Sequence, residues 1–95
     1  MAAWTSEQHL RDHFKNHAWE LPGCTFADYE ASSKQTLDVG TYFEYSDPDA
    51  GTWRIGCYDL ATRRFTVLDE DERIVSHFHC LARYIRDLPD NNFGA

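Results

Sequence analysis

The sequence predicts an α+β domain: two N-terminal helices, a four-stranded antiparallel meander sheet and a short C-terminal helix. Three observations predict it. Two early segments carry apolar residues at helical spacing behind capping signatures. From Gly40 the period shortens to alternation, broken by turn-forming residues. A length of 95 residues at 42% hydrophobic content supplies one core and not two, so residues 1–95 are read as a single domain.

In the stretch TSEQHLRDHFKNHA, Thr5 is placed to cap and Gln8 to reach back to it. Leu10, Phe14 and Ala18 then share one helical face, which predicts a helix over about 6–18. Pro22 and Gly23 stop any continuation. Thr25 and Asp28 repeat the capping pattern. Phe26, Tyr29, Ser33 and Leu37 follow on one face, predicting a second helix over about 26–37.

The sheet is expected over about 41–79. TYFEYS is short and aromatic, DPDAG is a turn, and TWRIGCYD alternates. RFTVL and IVSHFH supply two more strands around the acidic turn DEDER, read as solvated. Short connections between consecutive strands imply an antiparallel meander, with the helices covering one of its faces. Leu81, Tyr84, Ile85 and Leu88 predict a closing helix over about 80–88, ended by Pro89 and followed by a frayed tail.

Nine basic residues stand against sixteen acidic ones, a net charge of −7. That balance opposes non-specific attraction to nucleic acid, which rests on Lys and Arg. It does not set the potential in a cleft, because the charges are unevenly spread. Cys24, Cys57 and Cys80 are an odd number at wide spacing, which reads as reduced thiols. The N-terminal residues show no basic stretch leading into an apolar one, and no apolar run is long enough to span a bilayer. A cytoplasmic location is the expectation.

Two histidine groups stand out. His9, His13 and His17 recur every four residues and form one stripe bordering the core face of the first helix. His77, His79 and Cys80 crowd the last strand, with Cys57 within reach of a nearby one. Nitrogen and sulfur ligands of this kind suit zinc, but knuckle spacing is absent. Strand alternation puts Ile74, Ser76 and Phe78 on the core face and Val75, His77 and His79 on the open one. Arg54 falls on the open face of its own strand, where a guanidinium near an imidazole suits phosphate chemistry.

The ordered pattern resembles the small toxin RNase domains of the barnase–EndoU–colicin–RelE superfamily, of polymorphic-toxin or phage-associated type. The residues that carry the resemblance are His13, Phe14 and His17 on the first helix, and Tyr29 on the second. Arg54 follows on a strand, then Asp59, Thr62 and Phe65 around a hairpin, then Ile74, Ser76 and Phe78. The resemblance implies RNA cleavage by 2′-hydroxyl attack, with no metal and no cofactor. It implies that His13 is the general acid or base, that His17 orients it, that Arg54 holds the phosphate and that Ser76 hydrogen-bonds the phosphate or ribose. RNA and an immunity or antitoxin protein are the implied partners, and the acidity of this chain calls for a basic face on any such inhibitor. Two other functions fit the same residues: an acidic protein-interaction domain without catalysis, and a zinc-binding module through His77, His79 and Cys80.

Overall fold

The computed structural model of the chain describes residues 2–20 and 24–94. The expected break at Pro22 and Gly23 lies outside them. Helix α1 spans Glu7–His17 and runs into a 3-10 turn at Ala18–Glu20. Helix α2 spans Phe26–Val39. Four strands follow, β1 (Thr41–Asp47), β2 (Thr52–Asp59), β3 (Arg64–Leu68) and β4 (Ile74–His79), and then helix α3 (Ala82–Arg86). The sheet order is β1-β2-β3-β4 with every pair antiparallel, as the meander requires.

The first helix starts one residue later than expected. Ser6, not Thr5, accepts the His9 amide at 3.0 Å, and Gln8 turns to Asp12 instead. The cause is tertiary. The Thr5 N–H is spent on Ile74 O at 3.1 Å, and Ile74 N–H on Ala3 O, so residues 3–5 run parallel to β4 before the helix can begin. The second helix keeps its expected capping box, with Thr25 and Asp28 satisfying each other's amides. It ends at Gly40, where a Cβ would stand 2.7 Å from Cys57 Sγ and 2.8 Å from Thr36 O, so only glycine lets the helix end this close to β2. The closing helix is shorter than the sequence suggests, because Cys80 N–H still bonds Arg63 O as an extension of the sheet.

Both faces of the sheet are covered, where one was expected. On one face, Leu10 of α1 and Tyr29 and Leu37 of α2 pack with Trp4, Cys57, Leu68 and Ile74. On the other, Ile85 of α3 packs with Phe43, Tyr45, Tyr58, Phe65 and Val67. Phe43 and Phe65 stack across Gly56, whose missing side chain makes room for both rings. The segment after α3 then lies along β1. Ser46 N–H bonds Pro89 O, Asn92 N–H bonds Glu44 O, and the Glu44 amide donates to the Asn92 side-chain Oδ1.

The strand β4 does not alternate simply. Leu68 pairs with Ile74 and Val67 with Ser76, so Val75 is an extra, bulged residue. The bulge turns the expected faces over. Ile74 and His77 both point toward the helices, while Ser76 and Phe78 point to the opposite face. His77 is therefore not on an open face; it is 1% exposed. Thr66 Oγ1 donates to Ser33 O, so it accepts from His77 Nδ1–H at 2.8 Å. Nε2 then accepts from the Ser32 hydroxyl at 2.9 Å, and Tyr29 donates its hydroxyl to His77 O. The acidic turn is corrected too. Asp69 is buried and accepts from the amides of Asp71 and Arg73 as well as the Arg73 guanidinium. Burial opposes its charge, but those donors outweigh it and hold the carboxyl below its usual value.

Burial, reinforced by the Arg64 guanidinium, pushes the His77 pKa from 6.5 down to about 3. Between those values the unfolded chain binds a proton that the folded one refuses, so stability is fully present above 6.5 and is lost as pH falls toward 3. Urea midpoints at neutral and mildly acid pH check this. The drop for wild type should shrink in His77→Gln; an equal drop in both proteins would remove His77 from the account.

Candidate functional site

Arg54 and Ser76 lie two strands apart, about 10 Å at ordinary strand spacing, on the face that carries α3. There they line one cavity of about 490 Å³. Tyr45, Phe78 and Tyr84 give it aromatic walls, and His9 reaches it past the edge of β4. Each residue arrives for a local reason. Tyr45 is the cross-strand partner of Arg54, Ser76 faces the cavity because of the bulge before it, and Tyr84 sits on α3, whose Ile85 anchors it in the core.

Arg54 is the cation of this site. Its Nε is buried without a hydrogen-bond partner; the nearest carboxylate oxygen, Asp47 Oδ2, stands 3.9 Å away. Asp47 is held there because its Oδ1 accepts from the Asp49 and Ala50 amides of the turn. An anion that supplied an oxygen to Arg54 would satisfy a donor whose isolation costs about 1–3 kcal/mol. Burial, with Asp47 adding to it, pushes the Tyr45 hydroxyl pKa up, and burial does the same for Tyr84. Both stay neutral donors at any ordinary pH.

The three histidines of α1 form a stack along the edge of β4. Ring centroids are 4.6 Å apart for His9 and His13, and 5.7 Å for His13 and His17. His17 then stacks on Phe78 at 5.6 Å. His9 Nε2 lies 2.6 Å from Val75 O, so it carries a proton, and in the neutral ring Nδ1 holds the lone pair. His13 Nδ1 is buried with no partner. Burial first, then the neighbouring His9 and His17, lowers the His13 pKa to about 4. His17 Nδ1 meets Glu20 Oε2 at 3.0 Å, and the other oxygen of Glu20 accepts the His79 amide.

Of the residues the sequence singled out, Arg54 and Ser76 share the cavity, while its wall contains His9 rather than His13 or His17. His17 touches it only through Phe78. Tyr45, Tyr84 and Asp47 were not singled out. The signal for Tyr45 and Asp47 was present, since both flank the turn that pairs β1 with β2. The set considered for zinc does not converge. His77 spends both nitrogens on hydroxyls, Cys57 Sγ donates to Thr36 O, and His79 Nε2 faces Thr62 O. Burial raises the thiols of Cys57 and Cys80 to about 11 and about 12, where the thiolate that binds zinc is scarce. Among the described residues no group of three or more His, Cys, Asp or Glu side chains is arranged to hold a metal ion.

No family model, curated protein or solved structure matches this chain. The resemblance to the RNase superfamily is one of ordered residues alone.

Inorganic phosphate offers a direct check of the anion site. Amide resonance shifts on titration should centre on Arg54, Ser76 and Tyr84 and vanish in Arg54→Gln. Shifts centred elsewhere, or persisting in that variant, would remove Arg54 as the anchor.

Proposed function

We propose that this domain cleaves RNA at the cavity between the sheet and α3. One observation carries the proposal: Arg54 and Ser76, from separate strands, line the same cavity as a histidine with a free ring nitrogen. Arg54 holds the phosphate as a charged, forked donor. Ser76 hydrogen-bonds a phosphate or ribose oxygen. His9 Nδ1 takes the proton of the ribose 2′-hydroxyl as that oxygen forms its bond to phosphorus. The bond from phosphorus to the 5′-oxygen then breaks, and that oxygen takes a proton supplied by the histidine stack. His13, neutral at physiological pH, and His17 back His9 from within the stack. The aromatic walls suit a base that leaves its helical stack. Asp47 competes with the phosphate for Arg54 and limits affinity. The three free thiols fit a reducing compartment, so the cytoplasm is the proposed location.

A second reading draws on the surface of β1 and β2 that faces the helices. Tyr42 and Trp53 are more than half exposed there, and Tyr42 lies near Asp38 and Glu72. An acidic surface with aromatic residues fits a basic protein, either an inhibitor of the nuclease or the partner of a non-catalytic domain.

Cleavage of total RNA in EDTA tests the main proposal. Wild type should cut. Arg54→Gln should lose about 10²–10³-fold, the scale of one transition-state donor. His9→Gln keeps a side-chain donor for Val75 O but cannot accept the proton, and should lose about 10²–10⁴-fold. His13→Ala and His17→Ala should lose less. Intact wild-type protein that leaves RNA uncut sinks the proposal, and a larger loss in His13→Ala than in His9→Gln returns the acid–base role to His13.

A further inference from the structure

The charges of this acidic chain are sorted along the sheet. In a meander the first and third turns lie at one end and the second at the other. The first and third turns carry Asp47, Asp49, Asp69, Glu70, Asp71 and Glu72. The basic residues divide differently. Arg11 pairs with Glu7, Lys34 with Glu30, Arg54 with Asp47, and Arg73 with Asp69 and Asp71. Among the described residues the other five, Lys15, Arg63, Arg64, Arg83 and Arg86, have no carboxylate within 4 Å.

All five belong to the opposite end. Arg63 ends the β2–β3 turn and Arg64 opens β3, and Arg63 O accepts the Cys80 amide just past β4. Arg83 and Arg86 lie one helical turn apart on α3, which begins there. The fields of Arg63 and Arg86 both reach the Tyr58 hydroxyl. Lys15 stands in the last turn of α1, whose His17 stacks on Phe78 of β4. Of the acids near this end, Asp59 binds its own turn through Ala61 and Thr62, Glu20 holds His17 and the His79 amide, and Asp87 follows Arg86 as the exposed C-cap of α3. Trp19, next to Glu20, is 76% exposed, with its indole N–H fixed to Asn16 O.

We propose that this end is a docking surface for the sugar–phosphate backbone of a single-stranded nucleic acid, continuous with the cavity through Tyr84 of α3. It rests on the cavity being an RNA site and adds where the strand runs: from Arg54, past Phe78 and Tyr84, onto Arg83, Arg86 and Arg63. Unpaired arginines supply the phosphate contacts, and Trp19 is a ring on which a base can stack. The net charge of −7 does not oppose this, because six of the sixteen acids sit in the two turns at the far end and, at physiological salt, are screened beyond about 8 Å.

A fluorescent single-stranded DNA oligonucleotide of mixed sequence is the probe. It lacks the 2′-hydroxyl, so binding is read without cleavage. Its affinity should fall with salt, and the log–log slope should shrink by roughly 1.4 in Arg63→Gln/Arg86→Gln, at about 0.7 per lost contact. Asp71→Asn/Glu72→Gln, at the opposite end, should leave the slope unchanged. Cleavage of a dinucleoside phosphate, too short to reach the arginines, should be equal in wild type and the double arginine variant. An unchanged slope in that variant overturns the proposal, as does arginine-dependent binding to vesicles containing phosphatidylserine without oligonucleotide binding. Arginine-dependent binding with no RNA cleavage defeats the cavity's catalytic role and leaves this surface standing. Cleavage with an arginine-independent slope does the reverse.

Discussion

The extra residue at Val75 governs the geometry of the site. A strand without it would keep Ile74, Ser76 and Phe78 on one face. With it, Ile74 and His77 go to the helices while Ser76 and Phe78 go to the cavity. The bulge also leaves the Val75 carbonyl turned outward, and His9 fills that vacancy at 2.6 Å. One irregularity thus seats a buried histidine, exposes the cavity serine and docks α1 against β4. The remaining outward groups of this edge strand are closed the same way. Thr5 and Ala3 take Ile74, Tyr29 takes His77 O, and Glu20 takes the His79 amide. Side chains and a short parallel segment do for β4 what a fifth strand would otherwise do.

The two histidine groups show how environment separates identical side chains. His77 has a hydroxyl on each nitrogen and is held neutral in a satisfied interior. Its role is architectural: it ties β4 to β3 and α2 through Thr66, Ser32 and Ser33. His13 has a buried nitrogen with nothing to bond and neighbours of its own kind on either side. That arrangement is costly, and such costs persist where they serve chemistry more often than where they serve stability. His9 stands between these extremes, with one nitrogen used by the backbone and the ring at the cavity wall.

Much of the architecture was legible because local signals and tertiary demands agreed. The box of Thr25 and Asp28, the break at Gly40 and the turn after Asp47 all say locally what the fold requires. The first cap failed because Thr5 was claimed by Ile74, a residue 69 positions away that no local window sees. The face of His77 failed for the same kind of reason. A bulge has no composition signal of its own, and after one extra residue strict alternation assigns every later side chain to the wrong layer. The candidate cavity was half legible. Arg54 and Ser76 were found as residues, but their common cavity and the arrival of His9 depend on that bulge.

The segments that close the sheet come from opposite ends of the described chain. Residues 3–5 lie against β4 and residues 89–92 against β1. Each blocks a row of backbone groups that would otherwise accept a strand from another copy. Growth of the sheet into a neighbour must begin by peeling off one of these segments, so lateral assembly carries a barrier that bare edges would not. The barriers are unequal. Removing residues 3–5 disturbs Trp4 in the core, whereas peeling residues 89–92 from β1 need only free surface backbone and the ring of Phe93. The β1 side is where strand exchange between molecules would start.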